Sequence, residues 1–483
     1  MNTTRTQRSE ESAYLASASV LEHPEHWPSC TERIERAMQL AACLGRHPQL
    51  FPKVTASIES LLDKYTSDNF LFPSSTMGIQ AKLMEILQAQ RQGSPSKFVA
   101  LSEKIAAHAE TQDNWFKART YWDIKAQWHA LEKDDAQKRI ALQRAAETYV
   151  QEAESAIKKP SSGYLAACIH LQGAIAAVRK IGGMQDRANE LHKRLLDYEK
   201  QSLGEFKPIT VEIDLHEPRE KARELVKGKT LTEALLTLAS MDSSPKISDL
   251  RNTVQEAIKN HPLLHLAPSF RVNDEGKVIE HRPRMHAGGT DETEAVLRSE
   301  MLSQAAFSQR VYAQTIVEPA RLQILLEHSV RIEDLLPIVW NKPFISEGRE
   351  YIYAKGLHAG LTGDFLVAAH LLIPQLESSI RYLLTQWGVI PSSLDSEGIQ
   401  AEYTLSKIIY FPEMKEILGE DITFDLQGLL VEPAGSNIRN LMAHGLIAHD
   451  QFFSEPIVYL WWLTLRLCCL PMLMKIYNDK ASS

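Results

Sequence analysis

Apolar residues recur along most of this chain at the three-to-four-residue spacing of an amphipathic helix. Residues 112–130 carry Trp115, Phe116, Tyr121, Trp122, Ile124 and Trp128 at that spacing, which predicts a helix with an aromatic core face. Residues 134–157 are alanine-rich and charged, with few breakers. Lys159, Pro160, Ser161, Ser162 and Gly163 then read as a turn. The helix predicted over 164–180 has a small-residue face of Ala166, Ala167, Ala174 and Ala177. Gly182 and Gly183 end it, and 184–203 is helical again. Residues 1–204 thus read as an N-terminal helical domain, either a bundle or a repeat-like array of paired helices. The 34-residue tetratricopeptide consensus does not fit it.

The pattern changes at Gly204. Residues 209–215 alternate in polarity and predict a lone strand, and two helices follow around a loop at Ser243, Ser244 and Pro245. Residues 270–279 predict a small hairpin whose turn is supplied by Asp274, Glu275 and Gly276. Residues 286–290 read as a flexible joint. This middle segment, 205–290, precedes a second helical region over 291–483, interrupted at Pro319, Pro337, Pro343, 356–363 and Pro391. The fold class expected is mainly α. Residues 457–474 are nearly all apolar and approach the length of a membrane span. Arg466 at the middle, which costs roughly 2.5–3.5 kcal/mol on insertion scales, favours a buried core helix and no membrane.

Hydrophobic and charged fractions of 44% and 24% are those of a folded globular protein. Cys30, Cys43, Cys168, Cys468 and Cys469 form no C-x-x-C pair, so neither a disulfide framework nor a zinc ribbon is expected, and a reducing cytoplasm fits. Cys43 and Cys168 read as core residues. The net charge is −8, and from residue 331 onward 11 Lys and Arg face 18 Asp and Glu. That balance argues against tight, non-specific nucleic-acid binding. No histidine pair has the spacing of a zinc helix: His370 is expected to pack on its own helix and His449 to lie in a loop. No metal and no cofactor is expected.

The densest chemistry lies at Asn437-Ile438-Arg439-Asn440-Leu441-Met442-Ala443-His444-Gly445. An imidazole moves protons near neutral pH, and a guanidinium holds negative charge on phosphate. Ser436 or Asn437 is placed to cap a helix whose face carries Asn440 and His444 at i,i+4, with Arg439 about 100° round and near the positive end of the dipole. Gly445 lets the chain leave just after the histidine.

This stretch resembles the Asn-x-Arg-Asn-x-x-x-His-Gly signature of a bacterial and eukaryotic family placed in the HEPN superfamily of helical ribonuclease domains. Residues 360–365 (Gly-Leu-Thr-Gly-Asp-Phe), 370–377 with Arg381, and Leu418-Gly419-Glu420-Asp421 are similar to the same family, so that the resemblance covers about residues 356–447. It implies a bundle of about four helices that dimerises through the C-terminal domain and cleaves RNA, a folded target such as tRNA fitting better than bulk RNA. Cleavage would need no metal and leave 2′,3′-cyclic phosphate and 5′-hydroxyl ends. In that scheme His444 is general acid or base, and Arg439 stabilises the phosphorane-like transition state. Asn440 orients His444 or donates to a phosphate oxygen. Glu377 is a further acidic group, equally readable as an i,i+4 ion pair with Arg381. Related partners of small nucleotidyltransferases carry a tyrosine two residues after the histidine, where this chain has Leu446. The setting the resemblance implies is a toxin or antiviral defence effector. The competing expectation is a non-catalytic dimeric scaffold that binds RNA or protein, with the N-terminal helices recruiting a protein partner.

Overall fold

The structure is a computed structural model and describes residues 13, 14, 16, 27–43, 50–65, 78–159, 163–206, 214–261, 269–273, 276–282 and 290–481. Residues 209–213 of the strand expected at 209–215, residues 286–289 of the joint expected at 286–290, and the turn residues 160–162 and 274–275 lie outside them; Asp214 and Leu215 are not in a strand, and Thr290 already begins a helix. The fold is mainly α, with two small two-stranded sheets. The chain forms two compact units, residues 1–209 with 273–277, and residues 210–272 with 278–483. The expected middle segment is therefore not a body of its own, and most of it belongs with the C-terminal helices.

The first unit contains α1 (Trp27–Cys43), α2 (Leu50–Tyr65), α3 (Ile79–Ala89), α4 (Pro95–Thr111), α5 (Trp115–Leu131), α6 (Asp135–Lys158), α7 (Tyr164–Ile181) and α8 (Gln185–Ser202). From α4 to α8 each helix packs on the next in sequence. The joints on either side of α5 are built alike. Asp113 and Lys133 take the left-handed conformation, at φ 53° and 61°. The residue after each then caps the next helix through a side-chain oxygen. Asn114 Oδ1 accepts from Lys117 N–H at 3.2 Å, and Asp134 Oδ1 accepts from Gln137 N–H at 3.0 Å. Tyr121, Trp122 and Trp128 are buried as the aromatic spacing predicts. Phe116 is 65% exposed, outside that face. Cys168 is buried, but Cys43, the last residue of α1, is exposed because it lies beyond the helix's apolar stripe.

The second unit opens with three helices where two are expected: α9 (His216–Val226), α10 (Leu231–Ser240) and α11 (Ile247–Asn260). Asp421 caps α11 from a distant part of the chain, its Oδ1 accepting from Ile247 N–H at 2.8 Å. Strands β1 (Ser269–Val272) and β2 (Val278–Arg282) pair antiparallel as the expected hairpin. α12 (Thr290–Tyr312) does not break at Pro319. It runs through a π-turn at Ala313–Val317 into α13 (Glu318–Glu327). The wider turn makes room for a ring that would clash with the carbonyl four residues earlier. The short α14 (Leu336–Val339) leads to α15 (Glu350–Leu361) and α16 (Phe365–Gln386). A small hairpin, β3 (Ser392–Leu394) and β4 (Gln400–Glu402), precedes α17 (Leu405–Ile408), α18 (Glu413–Leu418), α19 (Glu420–Leu430), α20 (Ile438–Ala443) and α21 (Glu455–Ala481).

α21 is long and apolar enough to cross a membrane, and two thirds of its most apolar window is buried in this unit. Its indoles are anchored, Trp461 Nε1 to Leu357 O and Trp462 Nε1 to Leu238 O, each at 2.9 Å. Arg466 Nη1 donates to Ala239 O at 2.7 Å. Gly356 and Gly360 do not interrupt a helix, as their clustering suggests. They sit inside α15, where a Cβ on Gly360 would lie 2.1 Å from Trp461 Cδ1 and one on Gly356 2.5 Å from Leu372 Cδ2. The missing side chains let α16 and α21 pack close.

Candidate functional site

The motif helix α20 is six residues long. Its entry is set by α19: Ser436 and Asn437 N–H groups donate to Gly428 O at 2.9 and 3.3 Å. A Cβ on Gly435 would fall 2.0 Å from that same oxygen. Only glycine, which has no Cβ, fits there. The loop is also held from β1. Arg271 Nη1 donates to the carbonyls of Pro433 and Gly435 at 3.0 and 3.2 Å, and to Ala434 O between them.

Asn437 occupies the cap position but does not cap with its side chain. It is left-handed, at φ 52°, and its Oδ1 accepts from Asn440 Nδ2 at 2.8 Å. Ser436 Oγ is buried without a partner among the described residues, so neither expected capping oxygen reaches a backbone N–H. The exit follows the expectation for Gly445, which sits at φ 66°. Its N–H donates to Met442 O at 3.0 Å, and Leu446 N–H donates to Leu441 O at 2.8 Å. These are the paired bonds of a Schellman end.

Arg439 and Glu377 meet across the bundle. Glu377 Oε2, on α16, accepts from Arg439 Nε at 3.2 Å and from Nη2 at 3.1 Å. Its other oxygen accepts from Arg381 Nη2, and Arg381 also donates to Tyr403 O at 3.0 Å. One carboxylate thus sits between two guanidiniums, at 14% side-chain exposure against 22% for Arg439 and 24% for Arg381. Arg439 Nη1 donates to Asn440 Oδ1 at 3.1 Å. Each terminal nitrogen of Arg439 carries two N–H groups, so one on each is left outside these contacts.

Asn440 has a different role from the one expected. Its amide N–H groups go to Val431 O at 3.2 Å and to Asn437 Oδ1, and its oxygen goes to Arg439. It braces the guanidinium and neither orients His444 nor remains free for a phosphate. The backbone bond from His444 N–H to Asn440 O at 3.0 Å places the histidine one turn beyond it. His444 is exposed, and its ring has no hydrogen-bond partner among the described residues. A helix of this length supplies little dipole, so positive potential here rests on the guanidiniums. Glu377 and the nearby Glu402 offset part of it.

His370 packs on its own helix, Nδ1 2.8 Å from Leu366 O and its ring against Phe452. His358 Nε2 lies 3.0 Å from Val330 O. His449 is exposed beside Phe453. Among the described residues no three His, Cys, Asp or Glu side chains gather as a metal site would require.

Sequence reading singles out Arg439, Asn440, His444 and Glu377, gives Asn437 a capping role in place of its bond to Asn440, and misses Arg271 and the Val431 and Tyr403 carbonyls. Arg271 lies 162 to 164 residues from the carbonyls it grips, and a carbonyl acceptor carries no side-chain signature. Comparison with protein-family models, with curated proteins and with solved structures gives no match to this chain. Fold and site together define a mainly α protein with a braced arginine and, five residues on, an exposed histidine.

Proposed function

We propose that the second unit is a metal-independent endoribonuclease of the HEPN kind, acting as a dimer that brings two α20 helices to one composite cleft. The observation that carries this reading is the pairing of a fixed cation with a free proton carrier. Arg439 is oriented by Glu377 and Asn440, and five residues on stands the exposed His444. In the reaction, the RNA 2′-oxygen attacks the adjacent phosphorus and the bond to the 5′-oxygen breaks. One histidine takes the 2′-hydroxyl proton and the partner subunit's His444 returns one to the leaving 5′-oxygen. Arg439 places positive charge on the non-bridging oxygens as negative charge builds there. The acidic surroundings favour a specific folded RNA such as tRNA over bulk RNA. A toxin or antiviral effector that halts translation is the setting this chemistry suits, and a cytoplasmic location goes with it.

A specific observation favours the second reading, a non-catalytic scaffold: Glu377 neutralises much of the charge that Arg439 offers to a phosphate. Incubating the protein with total RNA in EDTA and mapping the ends separates the two. Wild type should cleave, leaving cyclic-phosphate ends. His444→Ala should lose about 10²–10⁴-fold in rate and Arg439→Ala about 10²–10³-fold. His444→Ala should leave the melting temperature unchanged, because the exposed ring makes no hydrogen bond among the described residues. Identical RNA patterns from wild type and both variants would establish the scaffold.

A further inference from the structure

A second polar site lies in the same unit and shares no residue with the Arg439 cluster. The loop between α10 and α11, together with α12 and α21, forms a half-open pocket of about 280 Å³ whose lining includes Asp242, Ser244, Lys246, Asp249, Gln309 and Tyr312. At about 30 Å³ per water it has room for several waters or one small organic molecule.

Behind it lies Asp425 of α19, which is 1% exposed. Its Oδ1 accepts from Gln309 Nε2 at 2.7 Å and its Oδ2 from Tyr459 Oη at 2.7 Å. That first bond fixes the Gln309 amide. With Nε2 turned to Asp425, Oε1 is left over as an acceptor. Gln309 Oε1, Ser244 Oγ and Tyr312 Oη are all buried and all without a hydrogen-bond partner among the described residues. Ser244 faces Asp425 closely enough to temper the rise in its pKa, but does not reach hydrogen-bond geometry. A hydroxyl turned that way keeps its lone pairs for a donor. Gln309 is 1% exposed and Ser244 3%. Unpaired buried polar atoms are rare in folded proteins, and three of them on residues that line one pocket point to something that fills it.

The chemistry of the walls says what. The amide oxygen can only accept, and the two hydroxyls can accept, so the occupant must donate. At the rim the exposed Asp242 and Asp249 carboxylates face one ammonium, that of Lys246. One oxygen of Asp242 is taken by Ser243 N–H at 2.8 Å. Counting Asp425 behind the floor, and Arg466, whose charge acts on Tyr312, three carboxylates stand against two cations, which opposes an anionic ligand and favours a cation. We propose that this cavity binds a small organic ammonium compound. Its N–H groups donate to Gln309 Oε1 and to the hydroxyls of Ser244 and Tyr312, and its charge is held by Asp242 and Asp249.

Titration calorimetry and thermal melting of the full chain with putrescine test this, with glycerol as an uncharged donor of similar size. Putrescine should bind and raise the melting temperature, and glycerol should do neither. Asp242→Asn should weaken putrescine about tenfold or more, the effect of a lost charged hydrogen bond. The double variant Ser244→Ala with Tyr312→Phe removes two hydroxyls that have no hydrogen-bond partner among the described residues. It should melt without ligand at or above the wild-type temperature, yet bind putrescine about tenfold more weakly. The proposal falls if millimolar putrescine neither binds nor stabilises, which would leave the cavity to ordered water. It falls equally if glycerol matches putrescine, if the variants bind like wild type, or if the double variant melts early because its hydroxyls are structural.

Discussion

Glu377 carries the chemical question at the scale of single residues. It is legible as an acidic residue one turn before Arg381, and the two readings of it, acid–base group or bundle ion pair, are evenly matched on spacing alone. The structure adds Arg439 to the same carboxylate. A carboxylate gripped by two guanidiniums is better suited to hold an arginine than to shuttle a proton. Glu377→Gln tests this, because glutamine keeps an acceptor oxygen and loses the charge. Cleavage should stay within about tenfold of wild type. Single-stranded RNA should bind with a salt dependence steeper by about 0.7, the increment for one more effective cation. A loss of two or more orders of magnitude in cleavage rate would instead make Glu377 an acid–base group. Asp425 supplies a second test at this scale. Burial raises its carboxyl pKa above the ordinary value of 3.8, because the charged form is the one that loses hydration. The native state therefore holds that proton more firmly than the unfolded chain does. The resulting stability is complete below the ordinary value and is lost as pH rises through the raised native one. Asp425→Asn lacks this component. The variant's melting temperature should accordingly gain on wild type as pH rises from about 4 toward neutrality. A difference that stays constant with pH would contradict the assignment.

At the scale of elements, the chain advertises its helices more openly at their ends than along their faces. Ser94, Asn114 and Asp134 stand at the start of three successive helices, evenly spaced along the chain. A search for the tetratricopeptide consensus passes over that shorter period, although the residues that mark it are plain in the sequence. Asp134→Ala should cost about 1 kcal/mol, read as a lowered urea midpoint, and no change would mean the cap is idle. Glycine is the less legible residue, because one residue type serves opposite purposes. Gly445 ends α20 at positive φ, as its position after the histidine suggests. Gly356 and Gly360 look like the same kind of break and are contacts between helices. Gly360→Ala must displace Trp461, a buried indole, and should destabilise by about 1–3 kcal/mol. Only the residue across the contact, far along the chain, distinguishes the two uses.

At the scale of the whole molecule, the mainly α class follows from periodicity, but the division of the chain does not. The composition change at Gly204 falls close to the edge of the first unit at residue 209. What composition cannot show is where the following helices are buried. α9 and α10 share their core with the C-terminal helices, and the Trp462 indole reaches Leu238 O across 224 residues. Each unit has hydrophobic cores of its own, with Leu171 in one and Leu429 in the other, both fully buried. Cores that share no residue have separate reasons to stay folded, so urea unfolding of the full chain should depart from a single two-state transition. Leu171→Ala and Leu429→Ala should each remove about 2–5 kcal/mol. Each should move only the transition of its own unit, followed by the near-ultraviolet signal of Trp128 in the first unit and of Trp461 and Trp462 in the second. RNA cleavage should be lost in step with the second transition alone, since every residue assigned to that chemistry lies there. If both variants shift one common transition by equal amounts, the molecule unfolds as a single cooperative body. The N-terminal helices would then be part of what holds the Arg439 site in place.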